Sequence, residues 1–326
     1  MDRRDAVKNT VFGMGALVLG SACNANVSKN NRNTKMEKAL NFWVQLFTIP
    51  GLVDQDLKGT LKTLSEIGYK EVEFFGPYPF SAEETKKNWE GLKQQLGLKN
   101  NAFYGYSVED TAKMLSDNGL QAPSFHADLI TMQTGMTKML DELSKLNAKY
   151  VVIPALMSGR DSLDDYKKLA ESFNQFGEQM SKYGMQFVYH NHGYEHIEMD
   201  GQIPMHFLIQ NTNPDFVQFE LDIFWMQAAG ADPIEFLKTY PNRFRLLHLK
   251  DARETFRFSG DGGTPDQWMA GFPKMSDPGD GIFDIAGIIK QARKSGAFHF
   301  FLERDLAPDP LNTLKNSFKN LNAMAG

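Results

Sequence analysis

Cysteine is almost missing from this 326-residue chain, which has Cys23 and no other. An internal disulfide is therefore excluded, as is a zinc or iron–sulfur site built on several thiolates. Any metal has to be held by His, Asp and Glu. Surplus positive charge is missing too, because 35 Lys and Arg face 40 Asp and Glu for a net charge of −5. A nucleic-acid groove or an anionic-lipid patch has no electrostatic footing in such a chain, and no nucleic-acid partner is expected. The apolar run Val11–Ala22, diluted by glycine, falls short of the ~20 residues needed to span a bilayer.

What is present is a globular composition, 42% hydrophobic, behind an unusual start. Residues 1–23 combine Arg3-Arg4, the short apolar run and Gly20-Ser21-Ala22-Cys23. They read as an export signal of twin-arginine type with a lipoprotein cleavage box, so the protein is expected to be exported, periplasmic or lipid-anchored through Cys23. Residues 24–38 are polar and Asn-rich without an apolar period, as expected of a disordered tether. The folded domain is expected to be residues 39–326.

From Ala39 onward, eight apolar or β-branched runs alternate with helical patterns. The runs are Phe42–Phe47, Glu71–Phe75, Ala122–His126, Tyr150–Ala155, Gln186–Asn191, Val217–Asp222, Arg245–Lys250 and His299–Glu303. Strands joined by single helices need crossovers, which makes the sheet parallel. Eight such units predict one (β/α)8 barrel, a TIM barrel. An open, doubly wound sheet would want a Gly-rich phosphate turn after its first strand, and Phe47-Thr48-Ile49-Pro50-Gly51 is not one. Long loops are expected over Phe80–Asn101 and Arg253–Asp277.

A barrel of this kind places its site at the C-terminal ends of the strands, where polar residues do collect. Glu73, His126, His190-Asn191-His192, Asp222, His248 with Lys250, and Glu303 each sit near the end of a different expected strand. Burying that many charged groups costs several kcal/mol unless they are paired or bind a cation. Asp222, His248 and Glu303 make a hard-oxygen and imidazole set suited to Mn, Mg, Zn or Co, with His190 or Glu195 as a fourth donor. His196, His206 and His299 read as structural, and Met132, Met136 and Met139 as core.

Several segments resemble the xylose-isomerase-like barrel family, commonly labelled sugar phosphate isomerase/epimerase. They are Leu221-Asp222-Ile223-Phe224-Trp225 with Ala229-Gly230-Ala231-Asp232-Pro233, Leu247-His248-Leu249-Lys250-Asp251, Gly279-Asp280-Gly281-Ile282-Phe283-Asp284, and Phe301-Leu302-Glu303-Arg304-Asp305. Val44-Gln45-Leu46 and Gly68-Tyr69-Lys70-Glu71-Val72-Glu73 resemble its first two strands, so the likeness runs from about Phe42 to Leu321. The resemblance implies a divalent metal on His190, Asp222, His248 and Glu303. The strand-five Glu that serves ketose 3-epimerases as a proton-transferring base has no counterpart in Tyr189-His190-Asn191-His192. That disfavours two-base 3-epimerisation, and the expected activity is a metal-dependent carbohydrate isomerase/epimerase or lyase working through an enediolate, by epimerisation, isomerisation or β-elimination.

Glu303, Lys250, His192 and His126 are the candidate proton-transfer groups, and a Lys beside a metal and a His is expected to have a lowered pKa. Trp225, Glu73 and Arg253 are candidate substrate contacts, with Trp43, Phe75, Tyr78 and Trp268 as further apolar faces. The expected partner is a small sugar or 3-keto-glycoside. Homo-oligomers are left open by the sequence, and so is a non-catalytic, exported carbohydrate-binding barrel. An abasic-site endonuclease of the same fold would want a basic groove, which this acidic chain does not offer.

Overall fold

The computed structural model describes residues 40–325. The expected leader, with Cys23, and the whole expected tether lie outside the described residues. Eight parallel strands close into a barrel: β1 Trp43–Gln45, β2 Glu71–Phe75, β3 Gln121–His126, β4 Tyr150–Ile153, β5 Gln186–His190, β6 Val217–Asp222, β7 Phe244–Leu249 and β8 His299–Leu302. Each pairs with its neighbour in sequence, and β8 returns to β1 with Val44 opposite Leu302. Helices follow the strands, and the expected (β/α)8 architecture is the one observed.

Period two along a strand puts alternate side chains on one face. Trp43, Val152, Val188, Leu246 and Phe301 pack together as an apolar layer inside the barrel. Two residues further along their strands stand Gln45, His190, His248 and Glu303, so the same inner face turns polar towards the C-terminal ends. The outward faces pack on the helices in the large hydrophobic core, where Leu61, Val151, Phe187, Leu221 and Leu302 are buried.

The loops expected at Phe80–Asn101 and Arg253–Asp277 are partly ordered elements. Helix Glu83–Gln95 occupies the first; none of its residues is fully buried, and Trp89 packs partly buried against the core beside Phe75. The second holds helix Pro265–Gly271 and a two-stranded antiparallel ribbon, Asp251–Ala252 with Met275–Ser276. That helix begins with a capping box, Thr264 and Gln267 each bonding the other's backbone N–H, a pattern visible in the sequence. The first strand is shorter than expected because the chain turns at once into a 3-10 helix, Leu46–Thr48, capped by the Gln45 side chain.

Candidate functional site

Asp222 ends β6 and also caps the next helix, Ile223–Ala228: its Oδ1 accepts from Phe224 N at 2.9 Å and Trp225 N at 3.0 Å. That leaves Oδ2 to the other side chains, 2.9 Å from Lys250 Nζ and 3.4 Å from His190 Nε2. Register sets Asp222 beside His248 and Phe301 beside His248, which brings Glu303, two residues beyond Phe301, to the same level. His190 joins them from β5.

One donor atom from each of His190, Asp222, His248 and Glu303 lies within 4.8 Å of the others. His190 Nε2 is 3.2 Å from His248 Nδ1 and 3.4 Å from Asp222 Oδ2, and Glu303 Oε2 is 2.5 Å from His248 Nδ1. All four residues are buried. Two imidazoles and two carboxylates converging from four strands fit a borderline divalent ion, and Asp222 Oδ2, paired to Lys250 Nζ, is the carboxylate oxygen left over from helix capping. Glu195, the other fourth donor considered, is spent elsewhere. It accepts from Tyr189 OH, from His192 N at 3.2 Å and from Gly193 N at 2.9 Å, which braces the loop after β5.

Lys250 sits at the edge of this set, with Nζ 2.9 Å from Asp222, 3.1 Å from Glu303 and 2.6 Å from Asp305. The expected lowering of its pKa is reversed. Burial favours the neutral amine, but the carboxylates of Asp222, Asp305 and Glu303 outweigh it and hold the ammonium above the ordinary lysine range. Burial would likewise raise Glu303, yet Lys250 and His248 bring it down to about 2. His192 lies half-buried at the mouth, its Nδ1 3.2 Å from His190 Nδ1, between the rings of Trp225 and Trp268 at 5.8 and 4.6 Å. Burial, reinforced by His190 and Lys250, holds it well below the usual histidine value and so neutral. Trp225 also lies under Lys250, whose Nζ is 5.2 Å from its ring centroid.

His126 and Glu73 form a second group deeper in the barrel. His126 Nε2 is 3.1 Å from both Glu73 Oε2 and Glu220 Oε2. Burial would lower its pKa, but those two carboxylates raise it to about 9. Sequence reasoning missed Glu220, Gln45 and Asp305. Glu220 could have been found two residues before Asp222, on the same face of one strand.

Arg253 is not brought to the cluster; it is exposed on the ribbon and donates to Met275 O at 2.9 Å. Trp43 belongs to the apolar layer, and Tyr78 is buried with its hydroxyl on Phe74 O. Of the histidines read as structural, His196 packs on Phe236, His206 bonds Tyr240, and His299 pairs with Glu71 at the opposite end of the barrel.

The model of the xylose isomerase-like TIM barrel family matches residues 61–322. The chain belongs to that family. Among relatives of the xylose isomerase-like barrel found by sequence, an inosose dehydratase from Lacticaseibacillus casei is 28% identical over 137 residues, 41% of this chain and 44% of that protein. The chain thus spans under half the length of this relative. An inosose dehydratase from Bacillus licheniformis is 23% identical over 269 residues, 79% of this chain and 84% of the relative. Among solved structures, a sugar phosphate isomerase/epimerase from Parabacteroides distasonis superposes with TM-score 0.68 at 25% identity, covering 89% of this chain and 96% of that one. The IOLI protein with a binding zinc atom superposes with TM-score 0.61 at 17% identity, covering 87% and 96%. This last likeness is one of fold.

Proposed function

We propose that the protein is a divalent-metal-dependent carbohydrate enzyme that removes a proton α to a carbonyl and then expels a β substituent, a lyase acting on a keto sugar or 3-keto-glycoside. The observation that carries this reading is the convergence of His190, Asp222, His248 and Glu303 on one point, with His192 and Lys250 beside it. The names of the inosose dehydratases and of the zinc-bound structural neighbour support it. A cation held by the four residues would supply positive charge opposite the substrate oxygen on which charge develops.

The remaining work falls to the chain's own groups. His126 and Glu73 are engaged with one another below the site, and Glu303 is a donor of the four-residue set. His192, neutral and half-exposed at the mouth, is the base that accepts the α proton. The electron pair of the broken C–H bond forms the new C=C bond as the C–O bond to the β substituent breaks. Lys250, held as an ammonium, gives its proton to the departing oxygen. Water or an alcohol leaves, and no oxidant or reductant is needed. Trp225 and Trp268 flank His192.

Proton NMR in D2O with a 3-keto-glucoside tests this. Release of the aglycone is expected, with the rate falling by roughly 10²–10⁴ in His192→Ala. Deuterium entering the α position without cleavage would replace elimination by epimerisation. Tight binding with neither exchange nor cleavage would leave a non-catalytic carbohydrate-binding barrel.

A further inference from the structure

His248 has two ring nitrogens and two sets of neighbours. Its Nδ1 edge faces His190, Asp222 and Glu303, and its Nε2 edge faces down the barrel, 2.7 Å from Glu73 Oε2 and 3.1 Å from Glu220 Oε1. A lone pair on Nε2 would confront two carboxylate oxygens, so this nitrogen carries a hydrogen and donates it. Glu73 is itself held. Gln45 Oε1 accepts from Phe47 N at 3.0 Å, which orients the amide so that its Nε2 donates to Glu73 Oε2 at 2.7 Å. His126 adds a third donor at 3.1 Å, shared with Glu220. Glu73, Glu220, His126 and Gln45 are all buried. Turning His248 or Gln45 away would take a donor from the buried Glu73 Oε2.

The geometry points to Glu73, with Glu220 behind it, as the positioning residue that fixes His248 in the orientation and tautomer whose Nδ1 lone pair is offered to the ion. The inference rests on the metal reading above and extends it one layer down. A carboxylate on the far nitrogen of a metal-bound imidazole fixes the ring and raises its basicity, and its loss typically weakens ion binding by 10–100-fold. The same two glutamates, joined by His126 and His248, could in principle hold a cation themselves, since their donor atoms also lie within 4.8 Å of one another. The three donors already crowding Glu73 Oε2 argue for a hydrogen-bonded floor instead.

Zinc titrated into the full chain against a chromophoric chelator decides between these. The wild type is expected to bind one zinc, Glu73→Leu to bind it 10–100-fold more weakly, and Glu73→Gln, which keeps an acceptor oxygen, to recover part of the loss. Melting curves in chelator select variants that are folded. Long-range 1H–15N correlation on the zinc-loaded wild type is expected to show a protonated Nε2 on His248. A folded Glu73→Leu protein with wild-type affinity overturns the role of Glu73, as does a protonated Nδ1. Two zinc ions per chain, falling to one in Glu73→Gln, would make the floor a second metal site. If the wild type binds no zinc, cobalt or manganese at all, the metal reading itself fails, and it fails in a different sample from those that test Glu73.

Discussion

At the scale of single residues, His126 makes the sharpest statement about pH. Its imidazolium is held between Glu73 and Glu220 with a folded-state pKa of about 9, against 6.5 for the free side chain. A group whose pKa is raised on folding contributes stability that is fully present below its unfolded value and disappears as pH climbs through the folded one. The contribution is on the order of 3 kcal/mol. Thermal melts should therefore lose stability between about pH 6.5 and 9, and His126→Gln should flatten that limb. A wild type whose melting temperature stays level across the interval would show that His126 is neutral in the folded protein. The residue was legible as a polar group at a strand end; its partners were not. Glu220 and Asp305 each stand two positions from an expected ligand, so strand period alone places them inward, but spacing does not say which inward carboxylates meet across the barrel.

Elements explain why one motif reads as it does. Asp251, just past β7, accepts backbone N–H bonds from Ala252, Gly279, Gly281 and Phe283, so a single carboxylate gathers the turn that precedes helix Ile285–Lys294. Gly281 has to be glycine there, because a Cβ would run into the Asp251 carboxylate and the Ala252 carbonyl. The Gly-Asp-Gly-Ile-Phe-Asp resemblance is thus a packing requirement as much as a signature. Gly281→Ala is expected to destabilise the protein by about 1–3 kcal/mol and to open residues 277–283 to limited proteolysis. Wild-type melting and an intact turn would mean that the backbone yields more easily than its four bonds suggest. The strands were readable because Val, Phe and Leu runs recur between helices. Helix Glu83–Gln95 was not readable because it sets little more than Trp89 against the core, and amphipathic contrast is what a sequence displays.

The whole molecule sets an apolar shell against a charged interior. Glu73, Glu220, Asp222, Glu303 and Asp305 are all buried within the barrel or at its mouth, and Lys250 is the one buried lysine beside them. The eightfold alternation was enough to expect a barrel, yet it says nothing about this imbalance, which arises only when the strands close and their inner faces meet. Histidines take up part of the negative charge, and His190, Asp222, His248 and Glu303 are placed to let a dication take up the rest. A ligand that binds only the folded chain stabilises it by RT ln(1 + [L]/Kd), about 2.7 kcal/mol at a hundredfold excess over Kd. The melting temperature of the wild type should therefore rise steadily with the logarithm of free zinc or manganese and fall back in chelator. Asp222→Asn/Glu303→Gln removes both negative charges from the four-residue set and should shift its melting temperature with the ion far less than the wild type. A wild type indifferent to every divalent ion over the same range would mean that the barrel balances its interior with protons alone, and the lyase reading would lose the charge on which it depends.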